Sequence, residues 1–132
     1  MRDSVLFISP SAVEAATVSQ MLGSIDIPCV HVETLKRAQQ MFKTEGFGAV
    51  LTEARLPDGT WADVVRLVGG AGGGPAVVVT DNLADARFWV NALELGAYDV
   101  LAKPFYCGEV QRILANALHE PPRLTRAMAL AK

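Results

Sequence analysis

Residues 48–59 decide the fold, and they read Gly48-Ala-Val-Leu-Thr-Glu-Ala-Arg-Leu-Pro-Asp-Gly59. The apolar run Ala49–Thr52 predicts a short buried strand, and Glu53 stands at its end. Pro57-Asp-Gly-Thr60 is typical of a turn, after which Trp61 to Val68 is predicted as a short helix. A strand, a turn and a helix in this order form one β-α unit.

The same alternation runs along the rest of the chain. Helix starts are indicated by Ser11-x-x-Glu14, which has the spacing of a capping box, by Thr34, and by Asn82 with Asp85. Four further apolar runs predict strands, at Val5–Ile8, Pro28–Val32, Ala76–Thr80 and Tyr98–Ala102. Alternating strands and helices predict an α/β fold, with a parallel sheet covered by helices on both faces.

Length and composition limit the class of protein. The chain has 132 residues, of which 51% are hydrophobic and 20% charged, as expected for one compact domain over residues 1–119. Its formal charge of −2 supplies no basic surface for nucleic acid, and the apolar runs are too short to cross a membrane. We therefore expect no nucleic-acid or membrane partner and a cytoplasmic location. Residues 120–132, which begin with Glu120-Pro-Pro122, are interpreted as a tail or linker, or as the start of an effector domain.

Three groups of residues, taken together, resemble the receiver domain of bacterial two-component response regulators. They are Leu56-Pro-Asp-Gly59, Thr80 at a strand end, and Gly96-Ala-x-Asp-x-Leu-x-Lys103-Pro104-Phe105. The resemblance runs from about Arg2 to Leu118. It implies a flavodoxin-like, doubly wound (βα)5 domain with strand order 2-1-3-4-5, a functional site at the carboxyl ends of the strands, and a role in signal transduction.

The resemblance also assigns roles to individual residues. Glu53 stands where receivers carry the phosphorylated aspartate. Thr80 matches the hydroxyl residue that contacts the phosphoryl group, and Lys103 matches the lysine that pairs with it. Pro104 is expected to follow a cis peptide bond, as in relatives.

Four positions depart from the pattern that the resemblance implies. Ser9 and Pro10 replace the acidic pair that holds magnesium, which prefers anionic oxygen ligands. Asp81 stands where a small residue is usual, and Val100 replaces an aromatic residue. Ser9, Pro10 and Asp81, together with Glu53, predict that the domain does not accept phosphate, because phosphoryl transfer depends on cations that neutralise the developing charge. We expect a protein without enzymatic activity, metal or cofactor.

Glu53 admits two interpretations. Its side chain is one methylene longer than aspartate, so its carboxylate could reach Lys103 and Thr80 and imitate the charged state without phosphate. Alternatively, Glu53 is a solvated residue at a strand end. We favour the ion pair, because Lys103 would otherwise lie unpaired in a cleft.

The function is also open between classes of protein. The main hypothesis is a non-phosphorylatable receiver-like module that acts through protein-protein interaction with a partner or effector domain. The alternative is a domain that senses a small ligand in the vacated acidic pocket. Phosphorylation at another residue, such as Asp58, is disfavoured because that residue follows Pro57 in the turn, away from Lys103.

The fourth predicted helix offers a surface for such an interaction. Leu83, Ala86, Val90 and Leu93 fall on one side at helical spacing, which puts Trp89 at the flank and Phe88 towards solvent. In receivers this helix, the fifth strand and the fifth helix form a face used by dimers and partners. Phe88 and Trp89 are therefore predicted as the apolar anchors of an interface, including that of a homodimer.

Overall fold

The computed structural model describes residues 3–69, 74–82 and 85–119. The predicted tail 120–132, Leu83 and most of the glycine-rich segment after Gly69 lie outside this range. A central sheet contains β1 (Val5–Ile8), β2 (Cys29–Val32), β3 (Ala49–Glu53), β6 (Ala76–Asp81) and β7 (Asp99–Ala102). Five helices accompany it: α1 (Ala12–Gly23), α2 (Leu35–Thr44), α3 (Trp61–Gly69), α4 (Ala86–Glu94) and α5 (Cys107–His119).

The sheet is parallel, with the order β2-β1-β3-β6-β7. Counted along the chain, its strands follow the predicted order 2-1-3-4-5, so the predicted fold class is confirmed. One apolar layer packs between the sheet and α1 with α5, and another between the sheet and α2, α3 and α4. Strands β1 and β3 are buried along their whole length, because helices cover both of their faces.

Local signals position the helix starts as predicted. The side chains of Ser11, Thr34 and Asp85 accept hydrogen bonds from the third backbone N–H that follows each of them, at 3.2, 3.1 and 2.9 Å. Each side chain thereby satisfies an amide that has no partner within its own helix. Helix α4 ends before Gly96, whose φ of +113° suits a residue without Cβ.

The predicted turn after the third strand is a small antiparallel hairpin, formed by β4 (Arg55–Leu56) and β5 (Gly59–Thr60). Asp58 at its tip accepts hydrogen bonds from the backbone N–H groups of Leu35 and Lys36, at 2.8 and 3.0 Å. These bonds lower the pKa of the Asp58 carboxyl from its ordinary value of 3.8, chiefly through the bond from Leu35. The hairpin is thereby tied to the first turn of α2.

Within the described ranges, the longest and most apolar helices fall short of what a membrane crossing requires.

Candidate functional site

Side chains from several segments meet at the carboxyl ends of the parallel strands. Ser9 follows β1, Glu53 ends β3, Thr80 lies near the end of β6 and Lys103 follows β7. The register places Glu53 directly opposite Thr80. Because all main-sheet strands run in the same direction, these four positions share one edge of the sheet, where open α/β sheets build their sites.

Lys103 and Glu53 form an ion pair at the centre of this edge. The Lys103 Nζ donates to Oε1 of Glu53 at 2.7 Å and to Oε2 at 2.9 Å. Glu53 is only 8% exposed. The ion pair predicted from the sequence is therefore present, and the alternative of a solvated strand-end residue is wrong.

A second carboxylate, from α1, completes the coordination of Lys103. Oε1 of Glu14 accepts from the Lys103 Nζ at 2.7 Å, so the ammonium group contacts three carboxylate oxygens from two side chains. The capping-box interpretation of Ser11 and Glu14 is half correct. Ser11 caps the helix, but the Glu14 side chain turns to Lys103, and the Ser11 N–H donates to Ser9 Oγ at 3.1 Å.

Both the hydroxyl and the carbonyl of Ser9 form hydrogen bonds that support this network. Its hydroxyl donates to Oε2 of Glu53 at 3.0 Å while accepting from the Ser11 N–H. Its carbonyl accepts from the Nε2–H of His31 at 2.7 Å. Ser9 is therefore a buried structural support for Glu53, and Pro10 beside it is exposed and offers no polar side-chain group.

One ammonium shared by two carboxylates sets the electrostatics of the site. Burial raises the pKa of Glu53 above its ordinary value of 4.5, and the nearby Glu14 carboxylate raises it further, against the lowering effects of Lys103 and Ser9. Burial alone would lower the pKa of Lys103, but its bonds to Glu14 and Glu53 outweigh that cost and raise it. Lys103 therefore stays charged, whereas burial disfavours the charged form of Glu53.

Thr80 takes no part in the network. Its side chain is fully buried, and its hydroxyl makes no hydrogen bond with any described residue. The expectation that Glu53 reaches both Lys103 and Thr80 is thus correct for Lys103 and wrong for Thr80. The reason is that both oxygens of the Glu53 carboxylate are already directed at Lys103, and Oε2 also accepts from Ser9.

The remaining predicted site positions have simpler surroundings. The Lys103–Pro104 peptide bond is cis, as expected. Val100 is nearly buried in the apolar layer beneath α4. Asp81 ends β6 half-buried and interacts within the protein.

The residues at this edge do not fit a magnesium ion. Magnesium requires carboxylate oxygens in octahedral geometry, whereas Ser9 and Pro10 provide none and the Glu53 oxygens are bound by Lys103 and Ser9. Among the residues described, no three His, Cys, Asp or Glu side chains are grouped as metal ligands would be.

The predicted orientation of Phe88 is wrong. Its ring is half-buried and lies 6.2 Å, centroid to centroid, from the ring of Trp61 on α3. The buried residues of α4 are Ala92 and Leu93, so the helix is rotated relative to the predicted stripe. Trp89 is half-buried as expected at the flank, and its Nε1–H donates to Asp99 at 3.2 Å. Its role in an interface stays a prediction.

The chain is similar in sequence to a curated response regulator. No family model matches the chain. The chain is 29% identical over 97 residues to the response regulator protein PilR of Pseudomonas aeruginosa, covering 74% of this chain and 22% of PilR. The chain thus spans about a fifth of the length of that curated relative.

Solved structures show the same fold. The beryllofluoride-activated NtrC4 receiver domain dimer superposes with a TM-score of 0.81 and 20% identity, covering 89% of this chain and 97% of the other. The receiver domain of the sensor histidine kinase PA1611 from Pseudomonas aeruginosa, with a coordinated magnesium ion, gives a TM-score of 0.77 and 24% identity over 91% and 100% of the two chains. The chain therefore has the receiver-domain fold and is homologous to response regulators.

Proposed function

We propose that this chain is a receiver-like signalling module of the cytoplasm that does not accept phosphate and acts through protein-protein interaction. The observation that carries the proposal is the pairing of Lys103 with both Glu53 and Glu14. In the receivers that this chain resembles, the matching lysine pairs with the phosphoryl group. Here the protein's own carboxylates occupy it.

The surroundings of Glu53 support the absence of phosphate chemistry. A phosphodonor would bring further negative charge to a partly buried group of two carboxylates and one ammonium. Transfer of a phosphoryl group depends on cations that offset this charge, and the Lys103 ammonium is already paired with Glu53 and Glu14. The carboxylate that would attack is also held by the Ser9 hydroxyl.

Glu53 imitates the charged state only in part. It reproduces the contact with Lys103 that the resemblance assigns to a phosphoryl group, but it does not engage Thr80. We infer that the module holds one conformation set by the Lys103 network, rather than alternating between two conformations as phosphate comes and goes.

The interaction surface that we propose is the face formed by α4, β7 and α5. Trp89 lies beside β7 on this face through its bond to Asp99. Three large exposed apolar side chains belong to these helices or adjoin them in sequence: Val90 in α4, Leu95 directly after α4, and Tyr106 directly before α5. The NtrC4 receiver is a dimer, which supports a second copy of this chain as a partner for this face. PilR is much longer than this chain, which supports an effector domain as the other partner.

The alternative, a small ligand in the vacated acidic pocket, has less support. The groups at that position are bound to one another, since Ser9 bonds Glu53 and Glu53 bonds Lys103. A ligand would have to break buried, charge-assisted hydrogen bonds in order to enter.

Intact-protein mass spectrometry after incubation with acetyl phosphate and magnesium tests the proposal. We expect no added phosphoryl group on the wild type or on Glu53→Asp, because both lack the magnesium carboxylates. A variant that combines Ser9→Asp, Pro10→Asp and Glu53→Asp is the positive comparison and is expected to gain an acid-labile adduct. An adduct on the wild type would overturn the proposal.

A further inference from the structure

A groove lies beside the charged site, on the face of the sheet that carries α3 and α4. It has a volume of about 640 Å³ and runs between the β4–β5 hairpin and the first half of α4. Ala54, the residue after Glu53, forms part of its wall. The groove uses neither Glu53 nor Lys103, so any binding there is independent of the proposed loss of phosphate chemistry.

The floor of the groove is aromatic. Trp61 and Phe88 line it with their rings tilted by 58° and their centroids 6.2 Å apart. Trp61 is 8% exposed and Phe88 is half-buried, so the floor is fixed by packing. Because Trp61 is already buried, Phe88 supplies most of the aromatic surface that a partner can cover, and its packing keeps the cost in side-chain entropy small.

Two arginines at the rim of the groove have no ion-pair partner among the described residues. Arg55 on the hairpin and Arg87 on α4 are exposed and line the groove. Neither forms an ion pair or a side-chain hydrogen bond with any residue in the described ranges. Arg66, by contrast, pairs with Asp63 on its own helix.

The two aspartates that line the groove both interact with other groups of the protein. Asp85 accepts the hydrogen bond of the Phe88 N–H at the start of α4, where the helix end favours a negative charge. Asp81 interacts within the protein. Both carboxylates keep their negative charge, so the lining of the groove is formally neutral as a whole. Its charged donors without a partner among the described residues are the two guanidinium groups, each of which can bind a carboxylate in bidentate fashion.

We propose that this groove binds a short acidic segment of a partner protein. One large apolar side chain of the segment packs over Trp61 and Phe88, and flanking carboxylates pair with Arg55 and Arg87. A segment suits the groove better than an enclosed small molecule, because ligand pockets bury most of their ligand whereas both arginine-bearing walls here are exposed.

A random heptapeptide library displayed on phage and selected on the immobilised 132-residue chain tests this inference. We expect enriched peptides to carry at least two acidic residues around one large apolar residue. Each of Arg55→Gln and Arg87→Gln should weaken their binding about fivefold, the contribution of an exposed ion pair. Arg112→Gln on α5 is the matched control and should leave binding unchanged. Binding should also weaken as salt concentration rises.

The two indole N–H signals in a nitrogen-proton NMR spectrum locate the binding. Titration with an enriched peptide should shift the signal of Trp61 in the groove more than that of Trp89, which is bonded to Asp99. The inference is overturned if enriched peptides lack acidic residues, if no peptides are enriched, or if the control variant loses as much affinity. Guanosine monophosphate serves as the small-molecule probe, and the inference is overturned if it shifts the Trp61 signal while peptides do not. It is also overturned if the arginine variants change only the self-association of the chain.

Discussion

Oε1 of Glu14 lies 2.7 Å from Nζ of Lys103, an ion pair between residues 89 positions apart in the chain. It joins the first turn of α1 to the loop after β7. Because Lys103 also binds Glu53, one cation is paired with two carboxylates, and the group carries a net negative charge in a partly buried place. The stability of the protein should therefore depend on the ionisation of Glu53.

We predict that Glu53→Gln changes how stability depends on pH. The folded-state pKa of Glu53 is raised above 4.5, so its contribution to stability is fully present below that pH and is lost as pH rises through the folded value. The free energy of unfolding of the wild type should fall relative to Glu53→Gln above about pH 4.5. Urea unfolding of both proteins at intervals from about pH 4 to pH 8 measures this difference.

The fully exposed Asp58 provides the comparison for that experiment, since its pKa is lowered and its contribution is lost as pH falls. Asp58→Asn should therefore change the pH dependence with the opposite sign, below about pH 4. A wild-type advantage over Glu53→Gln that grows with pH above 4.5 would show that attraction to Lys103 outweighs the cost of burial.

We predict that Thr80→Val increases stability by about 1 kcal/mol, because valine removes a buried hydroxyl that has no hydrogen-bond partner among the described residues. Thr52→Val is the matched change on the neighbouring strand. The Thr52 hydroxyl is equally buried but donates to the backbone oxygen of Glu53 at 3.0 Å, so its loss should cost about 1 kcal/mol. Equal effects from the two variants in thermal or chemical unfolding would contradict this assignment.

We predict that Phe88→Ala lowers stability, because its ring packs on Trp61. A loss of roughly 1 to 2 kcal/mol is expected, smaller than for a fully buried phenylalanine, since the side chain is only half-buried. Val90→Ala is the control on the same helix, as Val90 is 47% exposed. Thermal unfolding measures both changes.

Measurements of self-association can show which side of α4 forms the contact between two copies of the chain. Helical spacing places Val90 away from Phe88, which lines the groove. If a dimer forms through the face of α4, β7 and α5, sedimentation across a concentration series should show weaker association for Val90→Ser. A loss confined to Phe88→Ala would instead assign self-association to the groove side.

The fold could be predicted from the sequence because independent local signals agreed. Apolar runs alternate with capping residues, and Ser11, Thr34 and Asp85 all begin helices where expected. The pairing of Glu53 with Lys103 was also predicted, because the receiver resemblance assigns both residues to one site and their charges are opposite.

Two features of the site were not predictable from spacing alone. A glutamate three residues after a capping serine can return to that serine or point outward, and the pattern is the same in both cases. Nothing in the sequence indicated that Glu14 would turn to Lys103. The rotation of α4 was similarly ambiguous, because Phe88, Trp89, Val90, Ala92 and Leu93 supply apolar residues on most of its circumference. The Trp61 ring, distant in sequence, covers Phe88.

Ser9 bears on how such a domain evolves. Its N–H donates to the Val32 carbonyl at 2.9 Å, its carbonyl accepts from His31, and its hydroxyl joins Glu53 to Ser11. An aspartate here would lose the hydroxyl donor and set a second negative charge against Glu53. A change of Ser9 to aspartate should thus pass through a destabilised intermediate unless Glu53 changes with it, so the residues at positions 9 and 53 are expected to evolve together.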